Sequence, residues 1–188
     1  MASVAHPPVA AVPARQPLPG QPADLSELQP HLVFTLNEEI FAIDILSIRE
    51  IIDYGQPTEV PLMPDAIRGV INLRGAVVPV IDLSARFGRG RTPVGRRTCI
   101  VILEVEAPAG EGGLQVLGIV VDAVNEVLEI AAADIEPAPS FGTRLRTDFI
   151  AGMGRVDGRF VIILDLPKVL SLEELARLAD LAGPAAKA

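Results

Sequence analysis

From His31 onward, short apolar runs with period-two alternation or full burial are broken at close intervals by Gly, Pro, Asn and Asp, a pattern that predicts strands rather than helices. Strands are expected at Leu32–Leu36, Ile40–Asp44, Gly69–Leu73, Ala76–Ile81, Cys99–Val105, Gln115–Val121, Gly152–Val156 and Arg159–Leu164. Asn37-Glu38-Glu39 and Val156-Asp157-Gly158-Arg159 supply tight turns, Asp-Gly in particular tolerating the positive φ values that hairpins need. The one clear helix is C-terminal: Ser171 opens a capping box with Glu174, and Leu175 and Leu178 carry its apolar stripe. Residues 1–30 are rich in Pro and Ala and poor in large apolar side chains, so they are expected to form a disordered tail. The folded domain is expected over 31–175, with 176–188 as the helix end and a short tail.

An internal repeat underlies this pattern. Adding 83 to the numbers of Ile67, Gly69, Gly75, Asp82 and Leu83 lands on Ile150, Gly152, Gly158, Asp165 and Leu166, and Val78 matches Val161 between them. At an offset of 76, Phe41-Ala42-Ile43 followed by Ile48-Arg49-Glu50-Ile51 matches Leu117-Gly118-Ile119 followed by Val124-Asn125-Glu126-Val127. Two copies of one ordered pair of segments imply two similar small β-units rather than a single sandwich.

Composition narrows the chemistry. The chain has 188 residues, a formal net charge of −8 and no Trp, so its core is built from Val, Ile and Leu and its overall field repels nucleic acid and anionic membranes. The lone Cys99 sits in an apolar run and reads as a core thiol in a reducing compartment. The apolar runs fall short of a membrane span, and an N-terminus interrupted by Pro7, Pro8 and Pro13 makes a poor signal peptide, so a cytoplasmic location is expected.

With only His6 and His31, neither a Ser-His-Asp nor a His/Cys metal site can be assembled. Asp82 and Asp165, the remaining carboxylate pair, are expected to cap the short segments that follow them. The run Gly152-Met153-Gly154-Arg155-Val156-Asp157-Gly158 has its third Gly one residue late for a dinucleotide loop and reads as a hairpin. Arg86, Arg89, Arg91, Arg96 and Arg97 form the only basic concentration, and with Phe87 as the only nearby aromatic they read as a solvated loop or an acidic-partner contact. No catalytic machinery, cofactor or metal is expected.

The remaining segment, Gly69-Val70-Ile71-Asn72-Leu73-Arg74-Gly75-Ala76-Val77-Val78-Pro79-Val80-Ile81-Asp82-Leu83, resembles the hallmark of the CheW family. Leu32–Leu36 leading to Phe41–Ile45 is similar to that family's first hairpin, Leu117–Asp122 to its second-half strand, and Pro137-Ala138-Pro139 to the loop that follows. The resemblance implies an all-β fold of two packed five-stranded SH3-like β-barrel subdomains with short helices and a C-terminal helix. It further implies a non-catalytic adaptor that couples methyl-accepting chemoreceptors to the regulatory domain of the histidine kinase CheA at receptor clusters on the inner face of the membrane. Receptor binding is implied for the positions of Ile48, Glu50, Gly69, Arg74 and Val127. The alternatives left open by the residues themselves are a small-ligand-binding or allosteric double-barrel module and a minor enzyme using Asp82 and Asp165.

Overall fold

A computed structural model of the chain describes residues 28–106, 112–139, 145–171 and 173–174. Eleven strands run in the order β1 (Leu28–Leu36), β2 (Glu39–Asp44), β3 (Ile48–Asp53), β4 (Ile67–Leu73), β5 (Ala76–Asp82), β6 (Cys99–Glu106), β7 (Leu114–Val121), β8 (Ala123–Ala131), β9 (Ile135–Glu136), β10 (Ile150–Val156) and β11 (Arg159–Leu164). The four-residue helices α1 (Leu83–Arg86) and α2 (Leu166–Val169) follow β5 and β11. One sheet has the five-strand order β3-β6-β7-β5-β4, and the other the six-strand order β8-β1-β2-β11-β10-β9. The all-β, two-sheet expectation therefore holds, with two-residue β9 as an added edge.

Alternation along the central strands builds three apolar clusters. Leu32, Phe34, Phe41 and Ile43 face a central core that also takes Val101, Leu103, Leu117 and Ile119 from the other sheet. The intervening Val33 and Ala42 face a second cluster with Ile130, Val161 and Ile163, and Ile100, Ile102, Val80 and Val120 face a third. Strands buried on both faces read as continuous apolar runs, which is why β1, β2, β6 and β7 are so legible. The third cluster also gathers Ile52 from β3 and Ile71 and Leu73 from β4, the two edges of the five-stranded sheet. That sheet is thus curled around its own interior, and the second cluster shows the same of the other sheet.

The repeat is present but its halves are interlaced. β4, β5 and α1 correspond to β10, β11 and α2, down to a matching register shift after Ile67 and after Ile150. The hairpin β1–β2 nevertheless pairs with β8 and β11 of the second repeat, while β6–β7 pairs with β3 and β5 of the first. Each sheet takes its hairpin from one repeat and the rest from the other, so a single sequence repeat is not a self-contained sheet.

Several local expectations meet their geometry. Asp82 accepts from the Ala85 amide and Asp165 from the Lys168 amide, so both acids cap helices. Asn37 and Glu38 turn the first hairpin at φ 50° and 66°, and Asp157 and Gly158 the last at 49° and 77°. Ser171 Oγ accepts from the Glu174 amide at 3.3 Å, while Leu175 and Leu178 lie outside the described residues. Cys99 is half-buried against the central core, and that desolvation pushes its thiol pKa up.

Other boundaries move. The first strand begins at Leu28 rather than Leu32, and the folded domain therefore before His31, because Leu28, Gln29, Pro30 and His31 continue the pairing with Ala131, Ile130, Glu129 and Leu128. Residues 1–27 are outside the described residues, and with them the expected disorder. β3 and β8 were not expected as strands. In both, Ile48, Ile51 and Ile52 or Val124, Val127 and Leu128 have helix-like spacing, and strand pairing overrides it. The arginine-rich connection is also not uniformly solvated: Arg86 is buried, its Nε donating to the Val169 carbonyl at 2.8 Å and its guanidinium lying 4.7 Å from the Phe149 ring.

Candidate functional site

The turn between β4 and β5 is built by Arg74 and Gly75, with φ of 52° and 87°, and the Gly75 amide donates to Asn72 Oδ1 at 2.9 Å. Positive φ at both central positions is the hairpin geometry that matches strand twist, and it carries the Arg74 side chain out beyond the strand ends. On the opposite edge of the same sheet, β3 shifts register between Ile48 and Glu50. The curl brings these edges together: Arg74 Nη1 and Nη2 donate to Glu50 Oε1 and Oε2 at 2.9 and 3.0 Å.

This fork is bidentate yet exposed, the Arg74 side chain being 76% accessible and that of Glu50 26%. A pair so open to water contributes about 0–1 kcal/mol to stability. Its structural effect is to hold a guanidinium at a set place on the surface. Exposed apolar side chains lie on neighbouring parts of the same elements: Ile51 on β3, Val77 on β5, and Leu46, 88% exposed, in the turn before β3. Sequence reasoning did not single out these three; a branched aliphatic at Ile51 opposite to the alternation of its strand is the signal that was available.

At the open end of the hairpin, away from its turn, is a buried polar network. Arg68 on β4 donates Nε to the Tyr54 hydroxyl at 2.6 Å and Nη1 to Asp82 Oδ2 at 2.8 Å. Asp82, fully buried, also accepts from the Thr92 amide at 2.8 Å and the Thr92 hydroxyl at 2.7 Å. These bonds tie the end of β3, the start of β4 and the segment after α1 together, and so position the hairpin. Asp165 caps in the other sheet, so the two repeat-related acids serve separate helices.

The other expected site residues are placed differently. Ile48 is partly buried and packs on the central core. Gly69 is buried at φ 147°, where a Cβ would collide with the Thr58 carbonyl beside the Thr58–Val70 bridge, so a close backbone approach explains this glycine. Val127 is exposed on β8, in the other sheet, opposite Leu32. Glu50 and Arg74 are therefore brought into contact, Ile48 lies two residues from Glu50 on β3, and Val127 belongs to a separate surface strand.

The basic connection resolves into pairs. Arg89 meets Glu39 at 2.7 Å and Arg91 meets Glu59 at 2.9 Å, whereas exposed Arg96 and Arg97 rim an open cleft with Glu38 and Asp122. Among the described residues no group of three or more His, Cys, Asp or Glu could hold a metal ion, and no helix is long and apolar enough to cross a membrane.

Comparison with known proteins supplies the family. The CheW-like domain matches residues 30–174. The chain is 40% identical over 154 residues to the chemotaxis protein CheW of Klebsiella aerogenes, covering 82% of this chain and 89% of that protein. It is 32% identical over 143 residues to the CheW of Rhizobium meliloti, covering 76% and 88%. The crystal structure of the scaffolding protein TtCheW from Thermoanaerobacter tengcongensis superposes with a TM-score of 0.66 at 37% identity, covering 74% of this chain and 90% of that one. With two curled sheets, a repeat-built hairpin pair and this coverage, the chain belongs to the CheW family, a family of non-catalytic chemotaxis scaffold proteins.

Proposed function

We propose that the protein couples chemoreceptors to the histidine kinase CheA in the cytoplasm, at receptor clusters, with the β3 edge and the β4–β5 hairpin as the receptor-facing surface. The observation that supports this most is the exposed guanidinium of Arg74, held by Glu50 in a fixed place among the accessible apolar side chains Leu46, Ile51 and Val77. A planar cation preset beside apolar surface suits a helical bundle carrying carboxylates and aliphatic side chains, because desolvation on docking strengthens the charge pair. Ile48 and Gly69 act from below in this reading, by shaping the backbone, and Val127 contributes from the second sheet.

The test is the affinity of Arg74→Ala for a receptor signalling-tip fragment, with circular dichroism and CheA regulatory-domain binding as controls. A desolvated arginine at the centre of an interface costs about 2 kcal/mol or more on truncation, on the order of 30-fold in affinity. Selective loss of receptor binding supports the assignment. Unchanged receptor affinity in a folded variant removes Arg74 from the contact.

A further inference from the structure

The ion pair that spans the edges of the first curled sheet has a repeat-related counterpart in the second, and its charges differ. Adding 76 to Glu50 gives Glu126, and adding 83 to Arg74 gives Asp157. The equivalence is geometric as well. Glu50 follows a register shift opposite Ile102, as Glu126 lies beside one opposite Val33. Arg74 and Asp157 occupy the same turn position, at φ 52° and 49°, each followed by a left-handed glycine. Where the first sheet has a bidentate carboxylate–guanidinium pair, the second has two carboxylates, and neither makes an ion pair with any described residue.

Between them lies a cleft. Val33, Leu128 and Val161 from the sheet's own core line it, and Glu126, Asp157 and Arg159 stand among its polar lining. We propose that this cleft receives an arginine side chain presented by a protein partner, its aliphatic stem on the valine and leucine floor and its guanidinium between Glu126 and Asp157. The chain itself supplies the template, since at the corresponding place in the first sheet the exposed Arg74 guanidinium pairs with both oxygens of Glu50. Arginine fits better than lysine because a planar fork can bond two carboxylates at once while its stem covers apolar surface. The cleft belongs to the second sheet, away from Glu50 and Arg74, so the inference does not rest on the receptor assignment.

The experiment is a methyl-detected NMR titration of the full chain with N-acetyl-arginine amide at low ionic strength, following Val33, Leu128, Val156 and Val161. Saturable shifts at these methyls are expected, with a dissociation constant on the order of millimolar. They weaken at least about tenfold in the Glu126→Gln/Asp157→Asn variant. Asp157→Arg places a guanidinium in a turn geometry that Arg74 already adopts, and it is expected to fill the cleft from within and abolish the titration while the fold is kept. Three results overturn the proposal: no saturable shift in the wild type, shifts unaffected by Asp157→Arg, or binding that emerges only in Arg159→Ala, which would show the cleft already occupied by the chain's own cation. Neither receptor nor kinase enters the measurement, so its failure leaves the coupling function to be judged separately.

Discussion

Asp82 and Asp165 hold the same place in the two repeats but carry different burdens, and their replacement by Ala separates capping from buried ion pairing. Asp82 is completely buried and accepts from Arg68, from both donors of Thr92 and, at 3.3 Å, from the Ala85 amide. Its removal leaves an arginine side chain that is only 12% exposed without its carboxylate, together with two unsatisfied Thr92 donors. Breaking a buried pair from one side costs about 3–5 kcal/mol. Asp165, with its side chain 28% exposed, caps Lys168 at 3.3 Å and meets the Lys168 ammonium at 3.7 Å. Losing that cap costs about 1 kcal/mol.

At about 2–4 °C per kcal/mol for a domain of this size, Asp82→Ala lowers Tm by roughly 6–20 °C and Asp165→Ala by about 2–4 °C. Differential scanning calorimetry reads both, and Asp82→Asn, which removes the charge but not the shape, falls between them. Equal destabilisation by the two Ala variants would refute the assignment of a buried ion pair to Asp82 alone.

Deletion of residues 1–27 leaves β1 whole from Leu28, and is expected to preserve the Tm and the binding of both partners in a pull-down; loss of either shows that the tail has a further role. Val78→Asp and Val161→Asp each put a carboxylate at a position no more than 4% exposed, at a cost of several kcal/mol, and because the repeats are interlaced either variant is expected to lower one cooperative urea transition rather than produce two. Arg146 lowers the pKa of Glu174 chiefly through a hydrogen bond, with Arg86 adding to it, so this carboxylate contributes stability above its ordinary value of 4.5 that is lost as the pH falls through the lower folded value. Glu174→Gln is therefore expected to flatten the acid limb of stability against pH below about 4.5, and an unchanged limb in thermal melts contradicts a stabilising role for the pairing of Glu174 with Arg146 and Arg86.

Legibility followed burial. β1, β2, β6 and β7 are apolar on both faces, so their runs stand out in the sequence, and the Asn37-Glu38 and Asp157-Gly158 turns announce themselves by residue type. β3 and β8 are edge strands with polar residues on one side and aliphatics at helix-like intervals, so periodicity alone misreads them. The repeat was legible through Gly, Asp and Glu positions, but similarity between segments does not say which of them pair, and the exchange of hairpins between repeats could not be read from it. Asp82 was recognisable as a cap from its place before Leu83; its bonds to Arg68 and Thr92, 14 and 10 residues away, depend on how the chain turns back and were invisible. At the candidate site the resemblance to the CheW family supplied Glu50 and Arg74, and only the curl of the sheet explains why residues on opposite edges meet.

The coupling role itself is tested most directly by reconstituting CheA autophosphorylation with receptor-containing membranes, in the presence and absence of this protein. Adding the chain is expected to raise kinase activity, attractant to suppress it, and Arg74→Ala to lose this receptor-dependent control while still binding the kinase. Kinase activity that remains indifferent to the receptor whether or not the folded chain is present would contradict the coupling role.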